Sequence, residues 1–259
     1  MEANRYETIL KHIEAAQREA AELMLQARGI LAETKTGRRD VVTEYDRRVQ
    51  ELLMERLRTA FPDAHFFCEE MQDRDRLDSE QLFIIDPIDG TMNFVHGFHH
   101  SCISVAYAEK GTVAAGAVYN PYVDEMFTAI KGRGAFLNGS PIHVADGDLK
   151  ENVAVFGTAP YDAALAEQTF DIAKKVFAAS LDLRREGSAA LDLCTVAAGR
   201  AGLYFELQVS LWDYAAGALI VEEAGGQCLK PDGTPLPRDG SKPGILAGAP
   251  KAIQDYLKL

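Results

Sequence analysis

The string Ile84-Ile85-Asp86-Pro87-Ile88-Asp89-Gly90-Thr91-Met92-Asn93-Phe94 constrains this chain more than any other part of its sequence. An apolar strand delivers two carboxylates three residues apart and then meets a Gly-Thr turn. Pro87 fixes its own φ and removes one N–H, so a sharp turn after Asp86 is expected. Both carboxylates and the Ile88 carbonyl then face one point. Oxygen donors of this kind suit Mg²⁺ and not zinc. Gly90 and Thr91 offer free N–H groups where a short helix starts, a cradle for phosphate. Asp-Pro and Asp-Gly are ordinary turn dipeptides, but the combined string is too specific to be a turn alone.

Two further apolar elements end in acids. Phe66-Phe67-Cys68-Glu69-Glu70 closes a strand with paired carboxylates, which alone would read as a solvated strand end. Leu211-Trp212-Asp213-Tyr214 places an aspartate between aromatics at a helix start, where an N-cap is the plain reading. Three such termini together point to a metal cluster. The chain has 27 Lys+Arg and 39 Asp+Glu, a formal charge of −12. That balance suits a collector of divalent cations and opposes binding to nucleic acid or an anionic membrane. Cys68, Cys102, Cys194 and Cys228 lack Cys-x-x-Cys spacing and read as buried free thiols. His96, His99 and His100 have no clustered cysteine partners, so no zinc site is expected.

A length of 259 residues allows one large domain or two small ones. Apolar residues at three- and four-residue spacing predict a helix over 5–32. A polar loop over 34–39 follows, and Thr43 opens a second helix that ends near Phe61-Pro62. Strands are expected at 65–69 and 82–85, with a charged, solvated and mobile loop over 72–80 between them. A meander covers 101–108, 112–119 and 125–130. Beyond 152 the elements alternate: strands at 153–156, 181–184, 203–206 and 244–247, helices at 163–178, 188–198 and 214–224. The best place for a sub-domain junction is 145–152. This order suggests α+β layers. No apolar stretch reaches the ~18 residues of a membrane span, and no leader or lipidation address is visible, so the cytoplasm is the expected compartment.

The string 86–94 resembles the central motif of the inositol monophosphatase family, and Trp212-Asp213-Tyr214-Ala215-Ala216-Gly217 with Glu222-Glu223-Ala224-Gly225-Gly226 resembles its C-terminal motif. Asp40-Val41-Val42-Thr43-Glu44-Tyr45-Asp46, Glu69-Glu70 and residues 131–139 match in order, so the likeness covers nearly the whole chain. Cys68 stands where family members often have Gly. The resemblance implies a single domain over 1–259, a layered α/β/α/β/α sandwich of the inositol monophosphatase and fructose-1,6-bisphosphatase type. It implies hydrolysis of small phosphate monoesters with two to three Mg²⁺, inhibition by Li⁺, and a homodimer. By position, Glu69, Asp86 and the Ile88 carbonyl would hold one Mg²⁺, and Asp86, Asp89 and Asp213 a second. Glu69 would also serve a third, weaker ion through water. Asp46 and Thr91 would orient and deprotonate the attacking water, although Thr43 to Asp46 also reads as a capping box.

Substrate contacts are expected from Gly90, Thr91, Gly187, Ser188, Ala189 and Glu206, beside the metal-side residues Glu69, Ile88, Asp89 and Asp213. Ser188 also reads as a plain N-cap and Glu206 as a strand-end charge. A carboxylate at Glu206 suits paired hydroxyls of a polyol, and by family position it matches the residue that touches the inositol ring, so the resemblance implies inositol 1-phosphate as the leading substrate. Alternatives on the same fold are a bisphosphate nucleotidase, a fructose-1,6-bisphosphatase, a histidinol-phosphatase or an NADP phosphatase. These would want an extra basic pocket, for which Arg184-Arg185 is the candidate, its plain reading being a surface or dimer-interface pair. The alternative from another class is a regulatory binding protein of the transcription machinery.

Overall fold

The computed structural model describes residues 2–259 other than Arg38, Arg39, Asp73, Tyr161 and Arg238. Ile9, Ile13, Ala16 and Ala20 share the buried face of α1 (Glu2–Leu25). The helix stops short of the expected 32. Gly29 adopts φ +59, and the chain then pairs as a hairpin of β1 (Ala32–Gly37) and β2 (Asp40–Thr43). The expected polar loop over 34–39 is therefore strand as far as Gly37, and its last two residues lie outside the described residues. Thr43 does open α2 (Glu44–Ala60), accepting from the Tyr45 and Asp46 amides.

Next come β3 (His65–Cys68), β4 (Leu82–Asp89), α3 (Thr91–Val95), β5 (Cys102–Glu109), β6 (Thr112–Asn120), β7 (Glu125–Ile130), β8 (Ala135–Leu137) and β9 (Ser140–Ile142). Their strands form one seven-stranded sheet in chain order, with β3 parallel to β4 and every later pair antiparallel. The rest of the chain gives β10 (Val153–Phe156), α4 (Ala166–Ala179), β11 (Asp182–Arg184), α5 (Ala189–Ala197), β12 (Leu203–Glu206), α6 (Leu211–Glu223), β13 (Gln227–Leu229), β14 (Ile245–Gly248) and α7 (Pro250–Tyr256). A five-stranded sheet runs β11-β10-β12-β14-β13.

Side-chain alternation along single strands builds the layers. In β4, Leu82 and Ile84 join a core with α5 and α6, while Phe83 and Ile85 join one with α1 and α2. Both faces of β4 are covered, which is why it reads as an apolar run and not an alternation. In β12, Tyr204 faces α5 and α6, whereas Leu203 and Phe205 face α7 and α4. The order is thus α1/α2, seven-stranded sheet, α5/α6, five-stranded sheet, α4/α7, the α/β/α/β/α sandwich.

The sharp turn expected after Asp86 is instead a bulge. Asp86 pairs with Ser104 and Asp89 with Cys102, so three steps on β4 match two on β5. Proline is tolerated in a sheet at such a place. The extra residue reverses the alternation, so two aspartates three apart emerge on one side. The charged loop over 72–80 is also better anchored than expected. The Asp75 carboxylate accepts from the Phe66 amide, Leu77 packs on the central core, and Arg74 lies over the Trp212 ring at 4.4 Å. Asp73 lies outside the described residues. The four cysteines are free and buried, as their apolar surroundings require. No described helix is long and apolar enough to cross a membrane.

Candidate active site

A cavity of about 310 Å³ opens where the C-terminal end of β4 meets the first turns of α3, α5 and α6. Glu69, Asp86, Ile88, Asp89, Gly90, Thr91, Gly187, Ser188, Ala189, Glu206 and Asp213 all line it. Those eleven expected site residues are therefore brought together; Asp46 stands behind them, against Thr91.

Each aspartate is fixed through one oxygen. Asp86 Oδ1 accepts from the Ile88 amide at 3.1 Å. Asp89 Oδ2 accepts from Ser188 Oγ at 2.5 Å and the Ala190 amide at 2.7 Å. Asp213 Oδ2 accepts from the Ser210 amide at 2.7 Å, closing a capping box. Asp213 is thus the third helical residue of α6, and Ser210 takes the N-cap that the sequence suggested for Asp213. Ser188 does cap α5, through a bond from the Leu191 amide. All three aspartates line the cavity.

The electrostatics call for a cation. Burial pushes the Asp86 carboxyl well up, and Glu69, Asp89 and Asp213 push it further. Burial does the same to Asp213, helped by Asp89 and Glu69. Asp89 is raised by burial too, although its bonds from Ser188, Ala190 and Ala189 oppose the shift. Donors that are all oxygen, buried and mutually repelling fit Mg²⁺.

Asp46 resolves the two readings of Thr43 to Asp46. Its Oδ2 accepts from the Thr43 amide (2.7 Å) and Thr43 Oγ1 (2.6 Å), completing the capping box, while Oδ1 lies 3.3 Å from Thr91 Oγ1. One oxygen caps and the other meets Thr91, which also lies 3.0 Å from the Ile88 carbonyl. Burial pushes the Asp46 carboxyl up to about 7 against the pull of Thr43, with Glu69 and Glu70 adding to the rise.

Backbone freedom makes room. Gly90 adopts φ +87, and a Cβ there would sit 3.1 Å from the His100 carbonyl and 3.2 Å from that of Gly187. A Cβ on Gly157 would fall 1.9 Å from Glu206 Oε2. Glu206 is buried, with Oε1 accepting from the Ala159 amide and Oε2 from the Tyr204 hydroxyl, both at 2.7 Å. Burial raises its pKa, which those two bonds lower again in part.

The model of the inositol monophosphatase family matches residues 5–258. This chain belongs to the inositol monophosphatase family. It is 43% identical over 202 residues to an inositol monophosphatase 2 of Solanum lycopersicum, covering 75% of this chain and 76% of the other. It is 38% identical over 234 residues to the Nus factor SuhB of Pasteurella multocida, covering 90% and 86%. The extragenic suppressor protein suhB of Bartonella henselae has a solved structure with TM-score 0.90, 31% identity and 97% coverage of both chains. An IMPase/NADP phosphatase solved with Mg²⁺ and phosphate aligns with TM-score 0.84 and 26% identity, covering 97% of this chain and 93% of that one. This inositol monophosphatase family member is a phosphoric monoester hydrolase.

Sequence reading missed several of the family member's site residues. Lys35 on β1 lies 2.9 Å from Glu69 and also pairs with Glu70. Burial opposes its charge, but Glu69 and Glu70 outweigh that and hold the ammonium protonated. Arg74 donates to the Cys68 and Glu69 carbonyls at 2.8 and 2.7 Å while stacked on Trp212. It thereby joins the strand end that carries Glu69 to the helix start that carries Asp213. The pair Arg184-Arg185 divides: Arg184 pairs with Asp182, whereas Arg185 lines the cavity. Arg184-Arg185 was the basic pair expected from the sequence; only a composition signal, a basic residue flanking an acidic motif, could have flagged Lys35 and Arg74.

Proposed function

We propose that this chain releases phosphate from small phosphorylated polyols, inositol 1-phosphate foremost, with Mg²⁺ as cofactor. The observation that carries the reading is one cavity walled by four acidic side chains (Glu69, Asp86, Asp89 and Asp213), the α5 start, and Glu206. Glu69, Asp86 and the Ile88 carbonyl would hold one Mg²⁺, and Asp86, Asp89 and Asp213 a second, with Glu69 reaching a third through water. When bound, Mg²⁺ supplies Lewis acidity toward the phosphoryl and leaving oxygens. Thr91 positions the attacking water, and Asp46 Oδ1 takes the proton passed through the Thr91 hydroxyl. The amides of Gly90 and Thr91 meet the phosphate, since the first N–H groups of a helix lack partners within it. Glu206 and the start of α5 at Gly187, Ser188 and Ala189 meet hydroxyls of the leaving group. Glu206 is already held by Ala159 and Tyr204, so it presents its remaining lone pairs in a fixed direction.

The same reading takes 1–259 as one domain, supported by a core that Leu82 and Ile84 of one sheet share with Tyr204 and Ala247 of the other. Arg185 in the cavity favours a second substrate class, in which a second phosphate lies near the leaving group. Phosphate release across inositol 1-phosphate, p-nitrophenyl phosphate and a nucleoside bisphosphate decides between them. Glu206→Gln should lower kcat/KM for inositol 1-phosphate by roughly one to two decades, at ~1.5–3 kcal/mol per charged hydrogen bond. It should leave p-nitrophenyl phosphate nearly unchanged. Preference for the bisphosphate, lost in Arg185→Ala, would move the assignment to the second class. Mg²⁺-independent turnover would refute both.

A further inference from the structure

Another constellation lies outside that set of donors. His100 precedes β5, Glu186 follows β11, and Asp192 sits in the first turn of α5. Each offers a ligand atom, and the three atoms lie within 4.8 Å of one another; among the described residues this is the one such trio of His, Cys, Asp or Glu. Asp192 is 1% exposed, and its Oδ1 is buried with no hydrogen-bond partner. His100 Nε2 is buried without an aligned hydrogen bond as well, although Glu186 Oε2 stands 3.3 Å away. Of the nearby guanidinium groups, Arg184 is paired with Asp182 and Arg200 with Glu125, while Arg185, among the described residues, makes only a 3.4 Å bond to the neutral Thr158 hydroxyl and faces Asp192 across the cavity without an ion pair to it. The trio therefore has two carboxylates and one imidazole, with His100 set against Glu186 and the buried Asp192 Oδ1 left without a donor.

We propose that His100, Glu186 and Asp192 form a separate site for a divalent first-row transition cation, for which Zn²⁺ is the probe. One imidazole nitrogen with two carboxylate oxygens is a donor set that suits such ions, whereas Mg²⁺ selects oxygen alone. Zn–N and Zn–O bonds of ~2.0–2.2 Å place tetrahedral ligands about 3.3 Å apart, the separation His100 and Glu186 already have. These two side chains are about one-third exposed, which leaves a way in and room for a water ligand.

Asp192 also lines the cavity, so the ion would act as a clamp on the cavity wall and not at the reacting atoms. Asn93 Nδ2 donates to the carbonyls of both His100 (2.7 Å) and Glu186 (2.8 Å). Two of the three ligands thus hang from α3, which begins at Thr91, and the third belongs to α5, which begins at Ala189. Filling the site ties the phosphate end of the cavity to its hydroxyl end.

The test is a metal count. Full-length protein is equilibrated with Zn²⁺ in a large excess of Mg²⁺, dialysed, and its zinc per chain measured together with the melting temperature. Wild type should retain one Zn²⁺ and melt higher with it. Asp86→Asn should retain it too, which separates this site from the acidic set and makes the result independent of phosphatase activity. His100→Ala and Asp192→Asn should lose the ion, and Glu186→Gln, a partly exposed change that spares the fold, should weaken it at least tenfold. Zinc that vanishes in Asp86→Asn, or that persists equally in Glu186→Gln and His100→Ala, overturns the proposal. So does a wild type that holds none, since a protonated Asp192 would then fill the gap.

Discussion

Asp46→Asn separates the two jobs that Asp46 does with its two oxygens. An asparagine can turn its amide oxygen to Thr43 and accept both bonds that Oδ2 accepts, so the cap on α2 survives. Its –NH₂ then faces Thr91 Oγ1, where it donates and cannot receive a proton. Ionising Asp46 is costly in the fold, since burial pushes its carboxyl from 3.8 up to about 7. Removing that charge should leave metal-free stability unchanged or higher. Loss of a proton acceptor should instead lower kcat by ~10²–10⁴-fold with little change in KM. Thr43→Ala gives the opposite pattern: it removes the acceptor for the Tyr45 and Asp46 amides and costs about 1 kcal/mol of helix capping. Urea midpoints and phosphate-release kinetics on both variants decide the matter. If Asp46→Asn kept kcat within a few-fold and lost more than about 2 kcal/mol, Asp46 would be a cap and nothing more.

Asp213→Asn should abolish turnover, hold or raise metal-free stability by relieving repulsion with Asp89 and Glu69, and shrink the Mg²⁺-dependent rise in melting temperature; unchanged Mg²⁺ stabilisation would exclude it as a ligand. Arg74→Ala frees the Cys68 and Glu69 carbonyls and the Trp212 face, so half-maximal Mg²⁺ for activity should rise several-fold. Arg74→Lys should not restore it, because the fork is lost, and full rescue by lysine would show that charge alone matters. Asp46, Asp86, Asp89 and Asp213 keep protons in the metal-free fold that the unfolded chain has already released. Metal-free stability should therefore fall as pH rises from about 4 through about 7, the value to which the Asp46 carboxyl is pushed. Denaturation midpoints in chelator that climb across that window would contradict the shifts, and saturating Mg²⁺ should flatten the slope.

What the sequence made legible was local. The acidic strings sit on the ends of apolar runs, so their placement follows from one strand or one helix at a time, whereas the element order suggested only α+β layers and the order of the layers came from the family resemblance. Three-residue strands such as β8, β9 and β13 carry too few positions for any periodicity to register. The bulge in β4 was hidden because it depends on the partner strand: Pro87 announces an interruption, but only Ser104 and Cys102 show that it is one extra residue and not a turn. Lys35 and Arg74 belong to segments that read as loop, and their role is set by what folds beside them. Arg184 and Arg185 are neighbours in sequence with opposite fates, because successive residues at a strand end point to opposite sides. The trio of His100, Glu186 and Asp192 has no spacing rule at all.

Because β4 is a wall common to two cores, it cannot peel away from one without opening the other. Its amides should exchange with solvent only when the whole chain opens. The β1–β2 hairpin is different, since residues 32–35 are exposed and add little to either core. Lys35 therefore rides on a strand that adds little to either core, while Asp86 and Asp89 ride on one buried between two. Lys35 can act as an exchangeable counter-ion, leaving Glu69 and Glu70 when a metal arrives without loosening the floor on which the aspartates stand.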